Sequence, residues 1–220
     1  MHRTRKKDGI ASLARPRSRA GDDDVNHMGW KHLDNQMLFF STRLTSEVKL
    51  SPEMVAKLAT TISSDVRFLS ADQKDRIKSA SPIPLKDRLL ELQAFQGWMD
   101  QASQARNNPF VTRAQVLCQN YICFVYLPEA CFRILAKVCP NGSAARKCSQ
   151  YLNDNPIRAF RNAMAHANWT YRSDFGALVY WARKGDNPAD PLERFEVEQS
   201  NLEFWQSLSR CVAYAAYSNI

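Results

Sequence analysis

Glycine is scarce in this chain, at 7 of 220 residues, which disfavours a turn-rich all-β fold. The six cysteines, Cys118, Cys123, Cys131, Cys139, Cys148 and Cys211, form no C-x-x-C pair, and no histidine stands at metal-ligand spacing to them. No H-E-x-x-H stretch is present to bind a catalytic zinc, and no phosphate-cradling P-loop marks an NTPase. Neither a metal nor another cofactor is expected. Four of the cysteines lie on apolar helical stretches, so reduced, buried thiols and a cytoplasmic location are expected. The longest unbroken apolar run, Tyr121–Leu127, is far too short to span a bilayer. The charged N-terminus lacks a signal-like apolar segment, and no membrane partner is expected.

Apolar residues make up 45% of the chain, enough for a real core. The net charge is +8, and its location matters. Residues 1–20 hold seven Arg or Lys against one Asp, and Asp22, Asp23 and Asp24 follow, which leaves a body of +5. A mildly basic body is compatible with RNA binding without demanding it. Residues 1–28, mixing Arg, Lys, Ser and Pro with the aspartate triplet, read as a basic disordered arm.

Residues 29–220 then read as one helical domain, an N-terminal extension over 29–80 and a core over 81–220. Trp30, Leu33, Met37, Phe40 and Leu44 predict a first amphipathic helix, on which His32 reads as a surface or core residue. Ser51-Pro52-Glu53 begins a second, with Val55, Leu58, Ile62 and Val66 inward, and Ser70 caps a short third reaching about Lys78. Ser81-Pro82-Ile83-Pro84 is a break. Leu85, Leu89, Leu92, Phe95 and Met99 mark a helix to about Ala105. Asn108-Pro109 starts another, which Pro128 must kink or divide. Its apolar character on nearly all sides from Val116 to Val138 predicts a central position in the bundle. Pro140–Ser143 is a turn, and a short helix follows from about Ala144 to Leu152. Ala177–Trp181 and Arg194–Glu198 read as two short strands forming a β-hairpin. Ser200-x-x-Glu203 reads as a capping box for the closing helix, whose inner face is Leu202, Trp205, Leu208, Val212, Ala215 and Ala216.

Residues 155–169 stand apart. Asn155 followed by Pro156 is a helix start, and a helix running to Trp169 would turn Ile157, Phe160, Met164 and Ala167 inward. The opposite face carries Arg158, Arg161, Asn162 and His166, with Asn162 and His166 one turn apart. An imidazole exchanges protons near neutrality, a guanidinium forks onto phosphate oxygens, and a carboxamide orients either. Together they suit RNA phosphodiester cleavage without metal: the 2′-hydroxyl attacks, His166 moves the proton, and Arg161 stabilises the charged phosphorus centre.

Arg161-Asn162-Ala163-Met164-Ala165-His166 resembles the R-x4-H signature of the HEPN superfamily of helical domains, and a polar residue after the arginine fits that pattern. The resemblance covers about residues 82 to 220. It implies a nearly all-α bundle, here with a small β-hairpin before the C-terminal helix. It further implies a metal-independent endoribonuclease acting as a homodimer, with the site formed where two motifs face each other. Arg161, Asn162 and His166 would be catalytic and Arg158 would contact RNA. Members of the family serve as toxins with an antitoxin protein partner, in phage defence, or in RNA processing. Family toxins silenced by a nucleotidyltransferase often carry a tyrosine two positions after the histidine; Asn168 stands there, and the nearest downstream tyrosine is Tyr171. Two further readings stay open: a non-catalytic HEPN-like module binding RNA, a nucleotide or a protein, and a purely structural or antitoxin-binding bundle.

Overall fold

The computed structural model describes residues 22–79, 85–103, 109–174, 176–183 and 187–220. Their order is α1 (Asp22–Leu38), α2 (Ser41–Ser46), α3 (Pro52–Ala56), α4 (Leu58–Arg67), α5 (Ala71–Lys78), α6 (Leu85–Ser103) and α7 (Pro109–Tyr121). Two π-helical turns, Ile122–Tyr126 and Pro128–Phe132, lead into α8 (Arg133–Val138), α9 (Ala144–Asn153) and α10 (Ile157–Ala165). Strands β1 (Trp169–Tyr171), β2 (Ala177–Ala182) and β3 (Glu193–Glu198) follow, and α11 (Gln199–Tyr217) closes the chain. The fold is therefore mainly helical, with one small antiparallel sheet in the order β1-β2-β3.

The helices form for local reasons visible in their caps. Ser51 accepts from the Met54 N–H, with Pro52 in the first turn. Ser70 and Gln73 close a reciprocal capping box at α5, and Ser143 accepts from the Arg146 N–H at α9. Other ends are capped from a distance. Asp34 of α1 accepts the Ala59 N–H at 2.6 Å and the Thr60 hydroxyl at 3.1 Å, satisfying the start of α4. Asp65 of α4 accepts the Ala145 N–H at 2.9 Å at the start of α9. These two carboxylates tie α1, α4 and α9 into one frame, and burial holds the Asp65 carboxyl above its ordinary range.

Several boundaries differ from the sequence expectation. α1 begins at Asp22, inside the stretch read as a disordered arm; residues 1–21 lie outside the described residues. The first expected helix is two, divided at residues 39–40, and the second is divided at Lys57, whose φ of −141° is not helical. Pro128 does not stop the helix. Its missing N–H and its clash with the carbonyl four residues back are accommodated by wider turns, in which the Leu127 N–H bonds to Ile122 O and the Arg133 N–H to Pro128 O. The breaks expected at Ser81–Pro84 and Asn108 fall outside the described residues.

The segment expected at the centre of the bundle is partly external: Leu117 and Tyr121 are about half exposed. From Cys123 onward it is central as expected, with Phe124, Leu127, Phe132 and Leu135 fully buried, and α11 shares that place. Leu202, Phe204, Trp205, Leu208, Cys211 and Val212 are all buried, each large side chain worth roughly 1.5–3 kcal/mol by removal from water. The Ser200 capping box does not form. β3 runs straight into α11 with Glu198 as its unassisted cap, so Ser200 is already inside the first turn.

The sheet has three strands where two were expected. Trp169 pairs with Tyr180 and Tyr171 with Leu178 on one side of β2, and Tyr180 pairs with Phe195 on the other. α10 packs on this sheet through Phe160. Its ring lies edge-on to Tyr180 at 5.3 Å and to Phe124 at 5.1 Å.

Candidate functional site

α10 is shorter than its sequence suggests at both ends. Asn155 is not its N-cap, because Pro156 occupies that place with helical dihedrals and no side-chain cap. The first turn is closed instead by the Arg158 N–H on Asp154 O at 3.0 Å and the Phe160 N–H on Pro156 O at 3.1 Å. Ile157, Phe160, Ala163 and Met164 are buried, while Ala167, expected inward, is exposed.

The C-terminal end determines the site. The helix ends at Ala165, with His166 as C-cap. Ala167 takes the left-handed conformation at φ 57°, its N–H bonds to Met164 O at 3.3 Å, and the Asn168 N–H reaches Ala163 O at 2.8 Å. This is a Schellman end built on alanine rather than glycine. It redirects the chain into β1, where Asn168 O accepts the Trp181 N–H at 2.9 Å. His166 is thereby held at the mouth of the turn, exposed, instead of continuing up a helical face.

Arg158, Asn162 and His166 stand at successive four-residue steps and line one open cleft of about 510 Å³. The far wall comes from the end of β2 and the connection to β3, including Arg183 and the half-exposed Leu192. Asn168 completes the polar end. The Nε of Arg183 donates to Asp190 O at 2.8 Å, which fixes its guanidinium on that wall. Two guanidiniums, two carboxamides and an imidazole thus face one space whose described lining contains no carboxylate. Such a lining attracts phosphate.

Arg161 is placed elsewhere. Its side chain is only 13% exposed, and it is absent from the lining of the cleft. Its Nη1 lies 3.4 Å from Glu129 Oε1, and its Nη2 donates to Asn162 Oδ1 at 3.3 Å. Glu129 also holds Arg133 at 2.8 Å. Burial is the largest influence drawing the Arg161 guanidinium below its ordinary range, followed by the neighbouring charge of Arg133. The structure therefore brings Arg158, Asn162 and His166 together and sets Arg161 behind Asn162.

Arg183, Leu192 and Glu129 were not singled out from the sequence. They lie on other elements, and no local pattern marks them; only the packing of β2 against α10 and the ion pair of Glu129 with Arg161 bring them near. Other chemistries find little support in geometry. Five of the six cysteines are buried, and burial pushes the Cys123 thiol up to about 11 and the Cys139 thiol to about 12, far from a reactive thiolate. His32 is exposed and bonded to Gln36 on its own helix. Among the described residues, no group of three or more His, Cys, Asp or Glu is placed to hold a metal ion, and no helix is long and apolar enough to cross a membrane.

No protein-family model, curated protein or solved structure matches this chain.

Proposed function

We propose that the chain is a metal-independent endoribonuclease of HEPN type, acting as a homodimer in which two α10 motifs contribute to one RNA-binding site. The observation that carries this reading is the alignment of Arg158, Asn162 and His166 along one cleft with no carboxylate in its described lining. In this reading a backbone phosphate is held by Arg158 with help from Arg183. His166, exposed at the helix end, moves the proton of the attacking 2′-hydroxyl or of the leaving 5′-oxygen. Asn162 hydrogen-bonds the phosphate or the ribose, its orientation set from behind by Arg161. Attack by the neighbouring hydroxyl leaves a 2′,3′-cyclic phosphate. A role as a toxin or phage-defence effector belongs to the same proposal.

The test is incubation of the full chain with total RNA in EDTA, followed by end analysis. Cyclic phosphate ends are expected from wild type and none from His166→Ala. Cleavage that survives in His166→Ala at the wild-type rate would remove the imidazole from the mechanism.

One observation favours a second reading, a module that binds RNA or a nucleotide without cutting it. Arg161, the arginine of the R-x4-H pattern, is turned toward Glu129 rather than into the cleft. Tight RNA binding with no new ends after long incubation would support that reading.

A further inference from the structure

Glu129 follows Pro128 on the π-helical turn beside α10, and one carboxylate there serves two guanidiniums. The contact to Arg133 is 2.8 Å and that to Arg161 is 3.4 Å. Arg133 lies one turn along the same helical segment, and both members of that pair are about half exposed, at 53% and 50%. Arg161 is far less exposed and reaches the carboxylate across elements. The two holds on Glu129 are therefore unequal, and Arg161 has the longer one.

Arg161 also touches the cleft indirectly. Its Nη2 donates to Asn162 Oδ1, and Asn162 lines the cleft. The guanidinium is thus one carboxamide removed from where a phosphate at Arg158 would sit. Exchanging Glu129 for a phosphate oxygen would leave Glu129 paired with Arg133, so no carboxylate is stranded by the exchange. A phosphate is the better partner here, since Arg133 holds Glu129 Oε2 and leaves Arg161 a single oxygen at 3.4 Å, whereas a phosphate offers the planar fork two.

Building on the phosphate-binding reading of the cleft, we propose that Glu129 is a positioning residue. It stores Arg161 behind Asn162 and releases it to the backbone phosphate of a bound nucleic acid, so that the R-x4-H arginine joins the site only in the complex. The ligand class is a single-stranded phosphodiester. Arg161 contacts the phosphate, and Glu129 acts through Arg161 alone.

The test separates charge from position. A short fluorescent oligodeoxythymidylate, which has no 2′-hydroxyl to attack, is titrated by anisotropy at low salt. Wild type is compared with Glu129→Asp, Glu129→Gln, Arg161→Ala and the Glu129→Asp/Arg161→Ala double variant. Glu129→Asp keeps the charge and its pairing with Arg133 but shortens the reach to Arg161. It is expected to tighten binding about three- to fivefold, the scale of one half-exposed ion pair, with Glu129→Gln tightening it at least as much. Arg161→Ala weakens binding and erases the gain in the double variant. A Glu129→Asp affinity equal to that of wild type, or a gain that persists without Arg161, overturns the storage role while leaving the cleft as a phosphate site. Failure of wild type to bind the oligonucleotide, with Arg158→Ala equally inert, removes the phosphate-binding reading and this proposal together. Glu129 is half exposed while Arg161 is largely covered, so thermal melts monitored by circular dichroism verify that each variant is folded.

Discussion

Replacing Ala167 with glycine should make the protein more stable, although the same exchange inside a helix destabilises. Ala167 sits at φ 57°, where its methyl group crowds the following carbonyl. A left-handed conformation costs an L-residue roughly 1–2 kcal/mol that glycine does not incur. Glycine gives back about 0.4–1 kcal/mol through its greater freedom in the unfolded chain. The difference spans about 0–1.6 kcal/mol, roughly 0.8 kcal/mol of net stabilisation at mid-range. For a domain of this size, that raises Tm by about 1–4 °C. Ala167 is exposed, so no cavity opens. Ala165→Gly, two residues earlier and still helical, is the control and should lose about 1 kcal/mol. Scanning calorimetry on the two variants reads opposite signs. Destabilisation by both would refute the reasoning, because it would mean that the helix continues through residue 167 and that His166 points along a helical face.

Three further outcomes follow from the packing and the charges. Phe160→Ala, at a ring shared by α10, the sheet and the core, should cost about 3–5 kcal/mol in urea unfolding, and Phe160→Leu distinctly less. Asp174 is held down to about 2 by its hydrogen bonds from Arg172. A carboxyl depressed in the folded state adds stability that is present above its ordinary value and is lost as pH falls toward about 2. Arg172→Ala should therefore return the Asp174 titration toward its ordinary range, read by carboxyl NMR, and flatten that part of the acid-unfolding profile. Asp65→Asn has the opposite sign. Burial raises the Asp65 carboxyl, so its ionised form weighs against folding as pH rises through the raised value. An amide still accepts the Ala145 N–H, and the variant should be no less stable than wild type near neutral pH by urea titration.

The helical class was legible from periodicity, and so were two caps made by neighbours in sequence: Ser51 and Ser70 behave as their local patterns predict, while Ser143, read as part of a turn, also caps α9. The inward faces of α4 and α11 were legible for the same reason, because burial repeats every third or fourth residue. What failed were ends decided by tertiary contacts. The close of α10 at Ala165 has no glycine to announce it, and it is imposed by the pairing of Asn168 and Trp169 with β2. β1 is three residues long, too short for an alternation to register. Pro128 signals a break in sequence, yet π-helical turns absorb it. At the site, Asn162 and His166 were legible as one-turn neighbours, whereas the choice between Arg158 and Arg161 was not. That choice depends on Glu129, whose carboxylate reaches Arg161 across 32 positions of sequence.

In the proposed reaction Arg158, Asn162 and His166 act together on one RNA phosphate. The most direct measurement is single-turnover cleavage of a defined RNA in EDTA by wild type and by alanine variants at residues 158, 162 and 166, each verified as folded. The expected losses are about 10²–10⁴-fold at His166 and about 10²–10³-fold at Arg158, with a smaller loss at Asn162, and a 2′-deoxy substitution at the cut site abolishes cleavage. Full activity in both Arg158→Ala and His166→Ala, or equal cleavage of the deoxy substrate, would contradict it.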